Sequence, residues 1–173
     1  MKQPTIIHAG CVGRTLVVLA AVLLVGACGF ALRGEFKYAF STIYLNVPAG
    51  APIAQDLKRA VEASGGARVV DSAAAAEVIL DVPAPVDDKS VLSLSGGGKV
   101  REYALTKRVT YHLHDATGRD WLPLTQIVLR RAYTYSESEV LAREYEEVRL
   151  LKEMQGDAVQ QIARRLQVAK PPS

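Results

Sequence analysis

Cysteine is absent from the sequence after residue 28. The 173 residues contain two cysteines, Cys11 and Cys28, and both lie near the N-terminus. The chain after Cys28 therefore has no disulfide bond to stabilise it and no thiol to serve as a nucleophile. Residues 29–173 must fold by side-chain burial alone.

A clear excess of charge of one sign is also lacking. The first 27 residues hold two of the 21 basic side chains, Lys2 and Arg14, and none of the 18 acidic ones. The remaining 19 basic and 18 acidic side chains nearly balance. Because nucleic-acid binding requires a positive excess, we predict no nucleic-acid partner. Any other polyanion would have to bind a local basic patch.

Aromatic residues are few, at 6%, but the composition is that of a folded domain. Hydrophobic residues make up 49% of the chain and charged residues 23%, which disfavours disorder. A length of 173 residues predicts a single domain.

The N-terminal segment has the pattern of a signal peptide. Residues 1–14 carry two positive charges and no negative one, and ten apolar residues follow from Leu16 to Val25. This run is about half of the ~20 residues that a membrane-spanning helix needs. A basic start, a short apolar middle and small residues at the end favour a signal peptide over residues 1–27. A short membrane anchor or a buried strand is the alternative.

The apolar run ends at a cysteine. Val25-Gly26-Ala27-Cys28 resembles the lipobox of bacterial lipoproteins, which implies a diacylglycerol on the Cys28 sulfur, cleavage before Cys28, and an acyl chain on the new amine. We expect no other cofactor. Several acyl chains together hold a protein firmly on a membrane, whereas one chain does so only marginally. Gly29 stands where aspartate would imply retention in the inner membrane, so we predict an anchor in the outer membrane, on its periplasmic side.

The segment after the cysteine carries a family resemblance. Residues 28–34 read C-G-F-A-L-R-G and resemble the mature N-terminus of the LptE family (RlpB-like), typically C-G-[FW]-x-L-R. Members of that family are lipopolysaccharide-assembly lipoproteins of Gram-negative outer membranes. We expect Phe30 and Leu32 to enter the boundary between acyl chains and headgroups, and Arg33 to lie among lipid phosphates. Residues 28–40 are thus predicted to form a lipidated N-terminal tether. In the alternative, this is an ordinary tether whose apolar residues pack on their own domain.

Alternation and helical periodicity predict the elements of one domain over residues 41–168, with residues 169–173 as a tail. The predicted strands are 43–47, 67–70, 77–82, 90–94, 100–114 and 121–135, and the predicted helices begin at Pro52 and Ser138. Pro83 and Pro85 interrupt an extended run, and the two long strands predict a hairpin. The order predicts an α/β fold of the α+β sandwich type. Its sheet is mixed, mostly antiparallel and four- to five-stranded, with two helices on one face.

The last helix is long and has a predicted apolar stripe. Ser136 and Glu139 have the spacing of a capping box, and Gly156 could allow a bend. The stripe that we expect to be buried is Leu141, Tyr145, Val148, Leu151, Ala158, Ile162 and Leu166. Residues 140–143 and 151–154 also look like the start of the second helix in the LptE family, so the resemblance covers most of the mature chain.

Motifs of catalysis are lacking. No Gly-x-Ser-x-Gly elbow is present, and the Gly96–Gly98 turn is not followed by the Lys-Ser/Thr of a phosphate loop. His112 and His114 form an H-x-H pair, but no third ligand stands at motif spacing. We interpret the pair as part of a polar solvent face and predict neither a metal nor an enzyme. A periplasmic metal-dependent enzyme is the least favoured alternative.

The family resemblance implies partners and a ligand site. It implies that the protein plugs the LptD β-barrel of the outer membrane, assists its assembly, and helps to receive and insert lipopolysaccharide. Arg143 occupies the position of a basic residue that contacts the lipid A head in the family. The family's other basic contact lies in the hairpin around Gly96–Gly98, where this chain has glycines, so Lys99 and Arg101 are the nearest candidates, with Lys89 beyond. Another outer-membrane lipoprotein, structural or accessory to barrel assembly, is the alternative.

Overall fold

The computed structural model describes residues 38–172. The predicted signal peptide, Cys28, Phe30, Leu32 and Arg33 lie outside the described residues, so their roles stay predictions. The strands are β1 (Thr42–Asn46), β2 (Arg68–Val70), β3 (Val78–Asp81), β4 (Val86–Leu94), β5 (Val100–Asp115) and β6 (Asp120–Thr134). The helices are α1 (Pro52–Ala63) and α2 (Val140–Val168). No helix among these residues is both long and apolar enough to span a bilayer.

The six strands form one mixed sheet around the long strand β5. β1 lies parallel to β2 and β3, and β5 runs antiparallel to β3, β4 and β6. β3 and β4 share one edge of β5, since Asp81 pairs with His112 and Val86 pairs with Arg108. The segment with Pro83 and Pro85 separates them, because proline has no N–H to donate to the ladder. The predicted interruption is therefore confirmed.

The predicted hairpin is confirmed as β5 and β6. Its register pairs Val109 with Ile127, and its turn closes through hydrogen bonds from the Arg119 and Thr117 backbone N–H groups to the Asp115 carboxylate. Gly118 has φ 83°, a left-handed conformation that favours glycine. This short turn fixes the register of both long strands.

Both helices pack on one face of the sheet. This arrangement confirms the predicted fold class, and the sheet has six strands. Pro52 occupies the first turn of α1, where its missing N–H costs nothing, and Ile53, Leu57 and Val61 face the core. Each fully buried side chain of this size contributes ~1.5–3 kcal/mol. The main core also contains Tyr38, Phe40, Ile43, Leu80, Val109, Leu113, Ala158, Ile162 and Leu166. A second, smaller cluster joins Leu105, Tyr133 and Met154.

The start of α2 differs from the prediction. A 3₁₀ turn, Glu137–Glu139, precedes the helix, and the Ser136 and Ser138 hydroxyls share a hydrogen bond of 2.8 Å. No side chain caps the helix, so the predicted capping box is wrong. Gly156 lies within a continuous helix of 29 residues.

The predicted apolar stripe is correct from Leu151 onward and wrong at the start of α2. Ala158, Ile162 and Leu166 are buried, and Leu151 is half-buried and packs beside Met154 in the smaller cluster. Leu141, Tyr145 and Val148, by contrast, are 72%, 79% and 65% exposed. Helical spacing defines stripes but does not say which one faces the sheet.

Candidate functional site

Two of the three cations predicted for lipopolysaccharide lie against the same short turn. Lys99, which follows the β4–β5 turn, donates a 2.7 Å hydrogen bond to Glu137. Arg143, in the second turn of α2, donates one of 2.7 Å to Glu139. Both carboxylates belong to the 3₁₀ turn before α2, so residues far apart in sequence meet at one end of the molecule. We call this the cationic end: Lys99, Arg101 and Arg143.

The three cations differ in how tightly carboxylates hold them. Lys99 and Glu137 are 69% and 63% exposed, and such pairs contribute only ~0–1 kcal/mol. Arg143 is held by both Glu139 and Glu146, and its Nε is buried without a hydrogen-bond partner among the described residues. The hydrogen bond with Glu146, the largest cause, and that with Glu139 raise the pKa of Arg143.

Arg101 is exposed and has no ion pair with a carboxylate within residues 38–172. A shallow cavity of about 580 Å³ opens beside it, lined by Ser95, Lys99, Val100, Tyr135 and Glu137 among others. The lining contains backbone, hydroxyl and cationic groups, which suits a phosphorylated sugar. Arg101 and Lys99 can therefore meet an anion without first leaving a buried partner.

The start of α2, residues 140–148, has its polar side inward. Glu147 accepts hydrogen bonds of 2.5 Å from Lys89 on β4 and 2.6 Å from the Tyr133 hydroxyl on β6. The Lys89 ammonium also lies 4.3 Å from the ring centroid of Tyr103, in cation–π contact. This Lys89–Glu147–Tyr133 cluster joins the helix to two strands. It occupies the side of the helix that a globular protein usually fills with apolar residues.

The cluster shifts the pKa values of its members. Burial favours the neutral form of Glu147, but hydrogen bonds from Lys89 and Tyr133 outweigh it and lower the pKa of this carboxyl. Burial likewise opposes the charge on Lys89, but the bond with Glu147 raises its pKa well above the ordinary value. Burial and the carboxylate of Glu147 both raise the pKa of Tyr133. At neutral pH, therefore, Lys89 is a cation, Glu147 is an anion and Tyr133 keeps its hydroxyl proton.

An exposed apolar surface lies on the outward side of the same part of α2. Leu141, Tyr145 and Val148 stand at i, i+4 and i+7 and therefore share one face. We call these three residues the outward stripe. The edge strand β4 adds further exposed apolar side chains, namely Val86, Val91, Leu92 and Leu94. Exposed apolar side chains that share one face are typical of a surface that another protein covers.

The two histidines lie at the opposite end of β5 and are not isolated. The His112 and His114 rings stack with centroids 5.0 Å apart, and the Asp81 carboxylate on β3 approaches both. Asp81 stands 31 residues before His112 in the sequence, so no motif spacing could have indicated it.

Comparisons with known proteins agree on one family. The family model LptE, described as lipopolysaccharide-assembly, matches residues 40–166. The solution structure of an uncharacterized lipoprotein B from Nitrosomonas europaea is 39% identical, with a TM-score of 0.68, and the match covers 79% of this chain and 88% of that one. No protein with curated annotation matches the chain.

Two more distant structures share the fold. The rare lipoprotein B from Shewanella oneidensis is 23% identical, with a TM-score of 0.63, over 72% of this chain and 92% of that one. A minor lipoprotein from Acinetobacter baumannii is 22% identical, with a TM-score of 0.64, over 79% of this chain and 100% of that one.

Proposed function

Because this chain belongs to the LptE family of lipopolysaccharide-assembly proteins, we propose that it is an outer-membrane lipoprotein that plugs the LptD β-barrel. In this role it assists assembly of the barrel and helps to receive lipopolysaccharide at the outer membrane. No bond is made or broken, so the protein is not an enzyme. It would act through shape complementarity to the barrel, charge complementarity to lipopolysaccharide, and its lipid anchor.

The observation that carries the proposal is the reversed polarity at the start of α2, residues 140–148. Glu147 forms an ion pair with Lys89 on the sheet, and Arg143 forms one with Glu146 on the helix itself. The outward stripe of Leu141, Tyr145 and Val148 is exposed. Exposed apolar side chains at helical spacing gain free energy when a partner covers them. A barrel wall that encloses the domain is such a partner.

The cationic end supports the ligand part of the proposal. Lipid A offers phosphates on a sugar head, and arginine grips phosphate through two parallel hydrogen bonds. Arg101 and Lys99 border the 580 Å³ cavity, and Leu94 is exposed on the adjoining strand. A phosphate would compete with Glu137 for Lys99 and with Glu139 for Arg143. Exchange at the exposed Lys99 pair costs little.

The first described residues of the chain lie at the other end of the domain. Phe40 packs edge-on against Trp121 at the start of β6, with ring centroids 6.0 Å apart. β5 separates this region from Val100 by about 15 residues, roughly 45–50 Å at ~3.3 Å per residue. We propose that acylated Cys28 holds the protein to the outer membrane.

Purification from outer membranes tests the proposal. The tagged chain is extracted in mild detergent, and its partners are identified by mass spectrometry. We expect a β-barrel of the LptD type in stoichiometric amounts, together with lipopolysaccharide. Recovery of a different barrel, or of none, would favour an accessory or structural lipoprotein instead. A Cys28→Ser variant is the matched control, since it should lose the acyl chains while keeping the folded domain.

A further inference from the structure

We propose that Asp81, His112 and His114 form a binding site for a transition-metal ion of the zinc type. The three side chains lie on the sheet face opposite to the helices, at the end of β5 that is far from Lys99 and Arg101. Their nearest donor atoms all lie within 4.8 Å of one another. Each is partly exposed, so an ion can enter from solvent and keep a water ligand.

The donor atoms have the spacing of a metal's coordination sphere. Asp81 Oδ2 lies 3.0 Å from His114 Nε2 and 3.7 Å from His112 Nδ1. Zinc holds nitrogen and oxygen ligands at ~2.0–2.2 Å in a tetrahedron, whose edges are then about 3.4 Å. The two measured separations bracket that edge. Two imidazoles with one carboxylate suit zinc and its neighbours, whereas magnesium and calcium prefer oxygen ligands alone.

Hydrogen bonds turn the ligand atoms toward one point. His114 Nδ1 lies 2.8 Å from the backbone carbonyl of Asp115, which can only accept, so Nδ1 carries the proton. His112 Nε2 lies 2.7 Å from the Asp120 carboxylate, which likewise accepts the hydrogen bond. With those two atoms turned to their outer partners, the other ring nitrogens, His112 Nδ1 and His114 Nε2, face Asp81 Oδ2, so a metal ion placed between the three atoms would bind all of them.

Each ligand therefore has the outer partner that metal sites require. A metal-bound histidine usually donates its other N–H to a carboxylate or a carbonyl, as His112 and His114 do here. The other oxygen of Asp81 accepts a 2.6 Å hydrogen bond from the Asn46 side chain on β1. A bound ion would join β3 to β5 directly, and β1 and β6 through Asn46 and Asp120.

Zinc titration of the full lipidated protein in detergent, after stripping with a chelator, tests the site. Calorimetry should show one zinc ion per chain, and zinc should raise the unfolding temperature. Cobalt should give the visible absorption of a tetrahedral site. Magnesium should not compete. Absence of stoichiometric zinc binding, or equal binding of magnesium, would overturn the proposal and leave the three side chains as a hydrogen-bonded cluster only.

An isosteric variant separates metal binding from folding. Asp81→Asn keeps the acceptor for Asn46 and offers an amide N–H to the histidines, so it should fold. We expect it to weaken zinc affinity at least ~100-fold, and Asp120→Asn to weaken it about 10- to 100-fold, as outer partners do. Asp71→Asn, at an exposed residue on another loop, is the control and should bind like the natural chain. Unchanged affinity in Asp81→Asn would overturn the assignment.

Discussion

Lys107 and Asp87 form an ion pair on the helix-facing side of the sheet, with 2.6 Å between Lys107 Nζ and Asp87 Oδ1. The two residues are directly paired across β4 and β5. Lys107 stands between Leu105 of the smaller apolar cluster and Val109 of the main core. Its side chain is 5% exposed and that of Asp87 is 42% exposed, so the carboxylate connects a buried ammonium to solvent.

This geometry predicts that Asp87→Ala lowers the free energy of unfolding more than Lys107→Met does. Asp87→Ala leaves a buried ammonium without its partner and should lower the free energy of unfolding by about 1–3 kcal/mol. Lys107→Met replaces the ammonium with apolar volume and should be within about 1 kcal/mol of the natural chain, or more stable. Urea denaturation measures both values. A larger loss for Lys107→Met than for Asp87→Ala would contradict this reading.

The Lys89–Glu147–Tyr133 cluster predicts a dependence of stability on pH. The pKa of Glu147 is lowered from 4.5, so its contribution is present above about pH 4.5 and is lost as the pH falls through its folded value. The pKa values of Lys89 and Tyr133 are raised from 10.5 and 10.0, so their contributions are present below pH 10 and are lost at higher pH.

Glu147→Gln tests this cluster. It replaces charge-assisted hydrogen bonds with neutral ones, which should lower stability at pH 7 by about 1 kcal/mol. The difference from the natural chain should shrink as the acid is titrated below pH 4.5. Glu144→Gln, at an exposed position of the same helix, should have little effect at any pH. Thermal unfolding at several pH values provides the comparison, and a constant difference across them would refute the assignment.

The cationic end predicts which substitutions weaken lipopolysaccharide binding. The double variant Lys99→Glu/Arg101→Glu should weaken it about 10-fold or more, since a hydrogen bond to a charged group contributes ~1.5–3 kcal/mol. Arg143→Glu should also weaken it while the domain stays folded, and Arg143→Gln is the gentler test because Glu139 and Glu146 already flank the position.

Arg149→Glu is the matched control for these variants, because Arg149 lies on the same helix and, like Arg143, pairs with a carboxylate one turn away. A direct binding assay with purified lipopolysaccharide measures all four proteins. Equal losses for Arg149→Glu and the cationic-end variants would indicate a general charge effect instead of a site.

Much of the fold could be predicted from local sequence signals. The alternation of residues 100–114 and 121–135 indicated the hairpin, and Pro83 and Pro85 marked the break between β3 and β4, because both signals act on neighbouring residues. The face of α2 could not be predicted in its first half, since Glu147 is satisfied there by Lys89 and Tyr133 from distant strands. The approach of Asp81 to the histidines likewise depends on strand pairing across 31 residues.

The outward stripe predicts a separation between stability and partner binding. Changing Leu141, Tyr145 and Val148 together to glutamine should alter the free energy of unfolding by less than about 1 kcal/mol, because exposed positions contribute little. The same variant should lose association with the barrel. Leu166→Ala, at a buried position of the same helix, should instead lose ~2–5 kcal/mol of stability. Co-purification and urea denaturation together distinguish the two effects.

Photo-crosslinking in living cells tests the central claim most directly. A photoreactive phenylalanine at position 145 replaces an exposed tyrosine with a residue of similar shape, so the fold is kept. On irradiation we predict a covalent adduct between this chain and the LptD barrel, mapping to residues that face the barrel interior, and no adduct in the dark. An irradiated chain that forms no adduct with the barrel, in cells that contain both proteins, would contradict the account.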